Sequence, residues 1–132
     1  MGCDMINVLV ADDDRDIRDT VRIILEDAGY AVQEAENGIQ ALDCLRSTSH
    51  PMVVLLDVNM PGMTGLEILE FVAQNPPLCS RHTYIVITAS SAKSLVQMQS
   101  ALSCALALAS LGKPFDVDAL LDTVAQAAGR LA

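Results

Sequence analysis

The sequence predicts an α/β domain in which five parallel strands form a sheet covered by helices on both faces. Short apolar runs rich in branched residues alternate five times with stretches whose apolar residues have helical spacing. In such an alternation, right-handed crossover helices must cover the faces of a parallel sheet. Ligands of these sheets bind beyond the carboxyl ends of the strands.

The predicted strands are short runs, of which the third is the most apolar and the second the most polar. Runs of this length that end at a polar or turn-forming residue favour strands over helices. The strands are predicted at residues 6–11, 30–35, 52–56, 84–87 and 107–111.

The predicted helices each place apolar residues on one face. Asp14 offers a capping carboxylate before the first helix and is expected to pair with Arg18, and Gly29 is a typical helix stop. Asn37-Gly38 turns the chain into the second helix. The helices are predicted at residues 15–28, 38–45, 66–73, 93–106 and 117–131.

Composition limits the possible functions of the 132 residues, which have the length of one domain (1–132). The net charge of −9 argues against direct nucleic-acid binding, and no apolar run reaches the length of a membrane span. The four cysteines form no CxxC pair, which predicts reduced thiols in a cytoplasmic protein. His82 is expected to be exposed, and five further acids are expected to be solvated or capping charges: Glu34, Glu36, Asp116, Asp118 and Asp122.

Reactive side chains stand at the carboxyl ends of four predicted strands. Asp12 and Asp13 follow the first strand and Asp57 the third, while Thr88 ends the fourth and Lys113 follows the fifth. Three neighbouring carboxylates repel one another unless a cation lies among them, and Mg²⁺ prefers such oxygen ligands. Lys113 would neutralise charge on a transferring phosphoryl group, Thr88 would donate a hydrogen bond to it, and Asp57 is the expected nucleophile.

Four motifs occur in an order that resembles the receiver domain of two-component response regulators: LVADDD, DVNMPGMTG, ITAS and GKPF. The resemblance covers residues 7–131 and includes single-domain chemotaxis regulators. It implies a flavodoxin-like, doubly wound sheet of order 2-1-3-4-5 with five helices.

The resemblance also implies the roles of the site residues. Asp57 would be the phosphoacceptor, and Mg²⁺ would be held by Asp13, Asp57 and the backbone carbonyl of Asn59, with Asp12 bound through water. Thr88 and Lys113 would hold the phosphoryl oxygens. The donor would be a histidine kinase or a histidine phosphotransfer protein, and a conformational change would pass the signal to a downstream protein target. Such a chain is a signalling module that assists its own phosphorylation and dephosphorylation rather than an enzyme.

Other classes of protein fit the sequence less well. A flavodoxin-like electron carrier would not place three aspartates in its phosphate loop, and an aspartate-dependent phosphatase would need a second acid where Asn59 stands. The remaining alternative is a receiver-fold binding module that acts by phosphorylation-independent contacts.

The chain departs from the family in its last third. Ser110 occupies the position of the usual aromatic switch residue, and residues 89–112 contain one charged residue, Lys93. A helix this apolar predicts a surface for a partner or a homodimer. The resemblance implies that the fifth strand and the last helix form this surface together with it.

Overall fold

A five-stranded parallel sheet organises the protein, and its order confirms the prediction. The computed structural model describes residues 5–57, 60–88, 107–112 and 116–131. Within them, the strand order is β2-β1-β3-β4-β5, with every neighbouring pair parallel. The strands are β1 (Asn7–Ala11), β2 (Ala31–Ala35), β3 (Met52–Asp57), β4 (Thr83–Thr88) and β5 (Ala107–Gly112).

The described residues contain five helices, of which four were predicted. The helices are α1 (Arg15–Asp27), α2 (Gly38–Ser47), α3 (Gly65–Ala73), α4 (Pro76–Arg81) and α5 (Val117–Ala128). Helix α4 was not predicted. It begins at the Pro76-Pro77 pair, since proline is compatible with the first turn of a helix although it disrupts helix interiors. The helix predicted at 93–106 lies outside the described residues. No helix in the described part of the chain is long and apolar enough to cross a membrane.

Alternation along the strands divides the core into two layers. In β1, Leu9 and Ala11 pack towards α2 and α3, whereas Val8 and Val10 pack towards α1 and α5. The strand β3 is buried along its whole length, which explains its continuous apolar run. The sheet is therefore covered on both faces, and its carboxyl edge is left for polar side chains.

His82 is buried, so the prediction that it is exposed was wrong. It lies just before β4 with only 4% of its surface exposed, and its Nδ1 accepts a hydrogen bond of 3.0 Å from the backbone N–H of Met52. Its ring packs edge-on against Tyr84. Burial, and then the positive charge of Arg81, lower its pKa to about 4, against a smaller opposing effect of the Leu45 backbone. The neutral ring thus joins the start of β3 to the segment before β4.

We predict that His82 makes stability depend on pH in mildly acidic solution. The unfolded chain protonates this histidine near pH 6.5, whereas the folded chain resists protonation down to about pH 4. The unfolded state therefore binds more protons between these values, and the free energy of unfolding falls as the pH is lowered through this window, by about 3 kcal/mol at most. Urea denaturation measured at a series of pH values checks this.

The control is a pair of asparagine variants. His82→Asn retains an acceptor for the Met52 N–H but does not titrate, so it should remove the histidine component of the pH profile. His50→Asn, at an exposed histidine, should leave that component in place. Identical pH profiles for His82→Asn and the wild type would contradict the prediction.

Candidate functional site

Three predicted carboxylates meet at the carboxyl edge of the sheet. β1 pairs with β3 so that Ala11 lies opposite Leu56, and the next residues along the two strands are Asp12 and Asp57. Asp12, Asp13 and Asp57 each offer a carboxylate oxygen, and these oxygens all lie within 4.8 Å of one another. Asp12 is fully buried, Asp57 is 4% exposed, and Asp13 faces solvent. Three hard oxygen donors this close are the kind of set that binds a divalent cation such as Mg²⁺.

Asp12 is fixed by hydrogen bonds on several sides. Its backbone N–H donates to the carbonyl of Ala35 over 3.1 Å, which continues the pairing of β1 with β2. Its carboxylate Oδ1 accepts from the N–H of Asp14 over 2.9 Å, and its carbonyl accepts from Nη1 of Arg18 over 2.7 Å. Hydrogen bonds of the Asp12 backbone, and one to its carboxylate, therefore fix the position of this buried side chain.

Asp14 serves as the N-cap of α1, as predicted. Its side chain accepts hydrogen bonds from the backbone N–H groups of Asp16 and Ile17. The predicted pairing of Asp14 with Arg18 was wrong, because Nε of Arg18 lies 3.3 Å from Oε1 of Glu34 instead. Asp14 therefore caps the first helix, whereas the carboxylates of Asp12 and Asp13 lie close to that of Asp57.

Glu34 is exposed, as expected of a solvated charge, and it also takes part in an ion-pair network. Its Oε2 lies 3.1 Å from Nε of Arg22, while its Oε1 pairs with Arg18. Arg22 also contacts Glu26 at 3.3 Å and Asp19 at 3.7 Å along α1. The network joins α1 to β2 next to the acidic edge.

The other predicted site residues are placed only in part. Thr88 ends β4 and pairs along the backbone with Gly112, the last residue of β5. Asp57 pairs with Ile87, the residue before Thr88. The backbone therefore brings the ends of β3, β4 and β5 to one edge. The described part of the structure does not include Asn59 or Lys113, and it includes only the backbone of Ser110.

The loop after β3 rests on the start of α2, a contact that sequence reasoning missed. A Cβ at Gly38 would lie inside contact distance of the Met63 backbone carbonyl, so only glycine permits this approach. Gly62 has a positive φ of 82° and lies against Ile39. Asn37 caps α2 by accepting from the N–H of Gln40 over 2.8 Å. The Asn37-Gly38 pair signalled a turn, but nothing local in the sequence indicated its packing partner.

The structure is thus a doubly wound α/β domain with an acidic cluster at the carboxyl ends of its strands. The family model for the response regulator receiver domain matches residues 8–125 of this chain. The chain belongs to the response regulator receiver domain family. Receiver domains bind Mg²⁺ at an acidic cluster, and the residues that form such a cluster here are Asp12, Asp13 and Asp57.

Relatives of known identity cover nearly the whole chain. Sporulation initiation phosphotransferase F of Bacillus subtilis (strain 168) is 34% identical over 117 residues, which span 89% of each protein. The structure of chemotaxis response regulator CheY4 of Vibrio cholerae is 31% identical, with a TM-score of 0.82, covering 94% of this chain and 99% of that one. A response regulator from Burkholderia pseudomallei, solved with a phosphorylated aspartic acid, a calcium ion and citrate, is 27% identical with a TM-score of 0.75; the match covers 94% of this chain and 69% of that one.

We predict that neutralising Asp13 stabilises the metal-free protein. Asp13→Asn removes one of three mutually repelling carboxylates, so the variant should unfold at a higher urea concentration than the wild type in the presence of a chelator. Added Mg²⁺ should raise the unfolding midpoint of the wild type more than that of the variant, because the wild type offers one more ligand. Asp14→Asn is the matched control, since asparagine also caps helices and Asp14 lies outside the trio. Equal responses of all three proteins to Mg²⁺ would contradict the prediction.

We also predict that Gly38→Ala destabilises the protein by displacing the loop that follows Asp57. Overpacking of this kind costs about 1–3 kcal/mol, which urea denaturation measures. Gly129→Ala is the control, because a Cβ there meets its nearest atom at an ordinary 3.5 Å and its φ is −64°. Comparable stability of the two variants would show that the Gly38 contact is unimportant.

Proposed function

We propose that this chain accepts a phosphoryl group on Asp57 from the phosphohistidine of a histidine kinase or a histidine phosphotransfer protein, and that it signals by a conformational change. The observation that carries the proposal is the position of Asp57, nearly buried at the end of β3 with the Asp12 and Asp13 carboxylates beside it. Membership of the receiver domain family gives this arrangement its reaction class.

The proposed reaction is a balanced transfer between two nucleophiles. A carboxylate oxygen of Asp57 attacks phosphorus, an O–P bond forms as the P–N bond of the phosphohistidine breaks, and the released imidazole nitrogen takes up a proton. Bound Mg²⁺ would neutralise charge on the carboxylates and on the phosphoryl oxygens. Asp13, Asp57 and the backbone carbonyl of Asn59 would hold that cation, with Asp12 bound to it through water. The low exposure of Asp57 limits the water around the reacting oxygen.

Thr88 and Lys113 complete the proposed site. We assign them to the phosphoryl oxygens, Thr88 as a hydrogen-bond donor and Lys113 as a counter-charge. This assignment is supported by the backbone pairing of Thr88 with Gly112, the residue before Lys113. In this proposal the chain is a signalling module rather than an enzyme.

The cellular setting is part of the same proposal. Residues 1–132 would form one receiver domain that works in the cytoplasm, where histidine kinases present their phosphohistidine, and would act on a downstream protein target. A homodimer through the predicted helix at 93–106, the strand β5 and the helix α5 stays a prediction, since the first of these elements lies outside the described residues. Phosphorylation-independent binding is not favoured, because such a module would have no need of three clustered carboxylates.

Acetyl phosphate and Mg²⁺ test the phosphoacceptor role. Intact-mass measurement should show the addition of one phosphoryl group to the wild type and none to Asp57→Asn. The modified protein should lose the group in hot alkali or hydroxylamine, as an acyl phosphate does.

Matched variants separate the site from its surroundings. Asp13→Asn should slow the modification strongly, whereas Asp14→Asn should react like the wild type. A chelator should stop the reaction in every case. A phosphoryl group that still appears on Asp57→Asn, or a wild type that stays unmodified, would refute the proposal.

A further inference from the structure

Arg18 lies on α1 and contacts both Asp12 of the acidic cluster and Glu34 of β2. Its side chain is only 11% exposed, and its guanidinium makes two contacts of different kinds. Nη1 donates to the backbone carbonyl of Asp12 over 2.7 Å, and Nε lies 3.3 Å from Oε1 of Glu34. Arg18 therefore connects the first aspartate of the cluster to an acid on β2.

The contact with Asp12 goes to the carbonyl and not to the carboxylate. β1 ends at Ala11, so the carbonyl of Asp12 lies beyond the last paired residue of the strand. A charged donor at 2.7 Å gives this carbonyl a stronger hydrogen bond than a neutral donor would. Oε1 of Glu34 accepts a hydrogen bond from Nε of the same guanidinium over 3.3 Å, so two of the guanidinium nitrogens have separate partners.

We propose that Arg18 is a positioning residue for the cation site: by holding the Asp12 carbonyl it orients the Asp12 and Asp13 carboxylates towards Asp57. The inference rests on the cation site of the proposed function. Residues that orient metal ligands typically change metal affinity by about 10–100-fold when they are removed.

The sign of the effect separates positioning from simple electrostatics. Arg18 carries a positive charge near a site for a cation, so if charge alone mattered, its removal would tighten Mg²⁺ binding. If Arg18 positions the ligands, its removal weakens Mg²⁺ binding despite the loss of repulsion. The two explanations thus predict opposite changes in affinity.

Arg22 provides a matched control on the same helix. It is also positively charged and also pairs with Glu34, but in the described hydrogen bonds it makes no contact with Asp12. Arg18→Met and Arg22→Met each remove one charge and retain an apolar stem. Arg18→Lys keeps the charge but lacks the planar fork that reaches two partners.

Calorimetric titration with MgCl₂ is the first measurement. Arg18→Met should bind Mg²⁺ about tenfold more weakly than the wild type, whereas Arg22→Met should bind it equally or more tightly. Arg18→Lys should also bind more weakly than the wild type. Wild-type affinity in Arg18→Lys, or equal affinities in the two methionine variants, would overturn the inference while leaving the proposed function intact.

Amide hydrogen exchange in the metal-free proteins is the second measurement. The N–H groups of Asp12 and Asp14 donate to Ala35 and to the Asp12 carboxylate, so both report the order of this segment. They should exchange faster in Arg18→Met than in Arg22→Met, with exchange in β3 unchanged. Unchanged exchange at both amides would overturn the inference. A wild type that binds no Mg²⁺ would instead refute the cation site itself, and this inference with it.

Discussion

Mutual repulsion among three carboxylates is the constraint to which the rest of this structure responds. The pairing of β1 with β3 brings Asp12 and Asp57 to adjacent positions, although α1, β2 and α2 separate the two strands in the chain. The strands themselves are buried on both faces, so apolar packing, and not attraction between the acids, determines the register. The core thereby imposes a crowding that the acids alone would avoid, and a bound divalent cation would relieve it.

Short-range backbone contacts keep this arrangement from relaxing. Asp12 is held through its own N–H, carbonyl and carboxylate, and the loop after Asp57 is seated on α2 through Gly38. The contacts of the Asp12 N–H and carbonyl, and the contact at Gly38, involve the backbone, whose position changes less readily than a side-chain rotamer. These contacts therefore hold Asp12 and the loop after Asp57 in place in the folded state, whereas the Asp13 side chain faces solvent.

Periodicity and order along the chain were enough to predict most of the fold and the acidic trio. The strand order was implied by the motif resemblance, and the carboxylates by the residues after the first and third apolar runs. His82 was placed wrongly because it is polar in sequence but is fixed by a partner far along the chain, Met52. The ion pairs of Glu34 with Arg18 and Arg22 were missed for the same reason. The contact of Gly38 with the Met63 backbone was also not predicted, since a glycine in a sequence does not indicate which segment packs against it.

Two arginines near the trio, Arg18 and Arg22, direct their charges towards acids outside it. Among the described residues, Arg18 and Arg22 both pair with Glu34, and Arg22 also contacts acids of its own helix. In the described contacts, Arg18 reaches the site through the Asp12 carbonyl oxygen, to which it donates a hydrogen bond. A guanidinium bound directly to Asp12 or Asp13 would compete with a metal ion for the same oxygens. In the described contacts, the ion pairs with Glu34 therefore engage the two arginines away from the carboxylate oxygens of the trio.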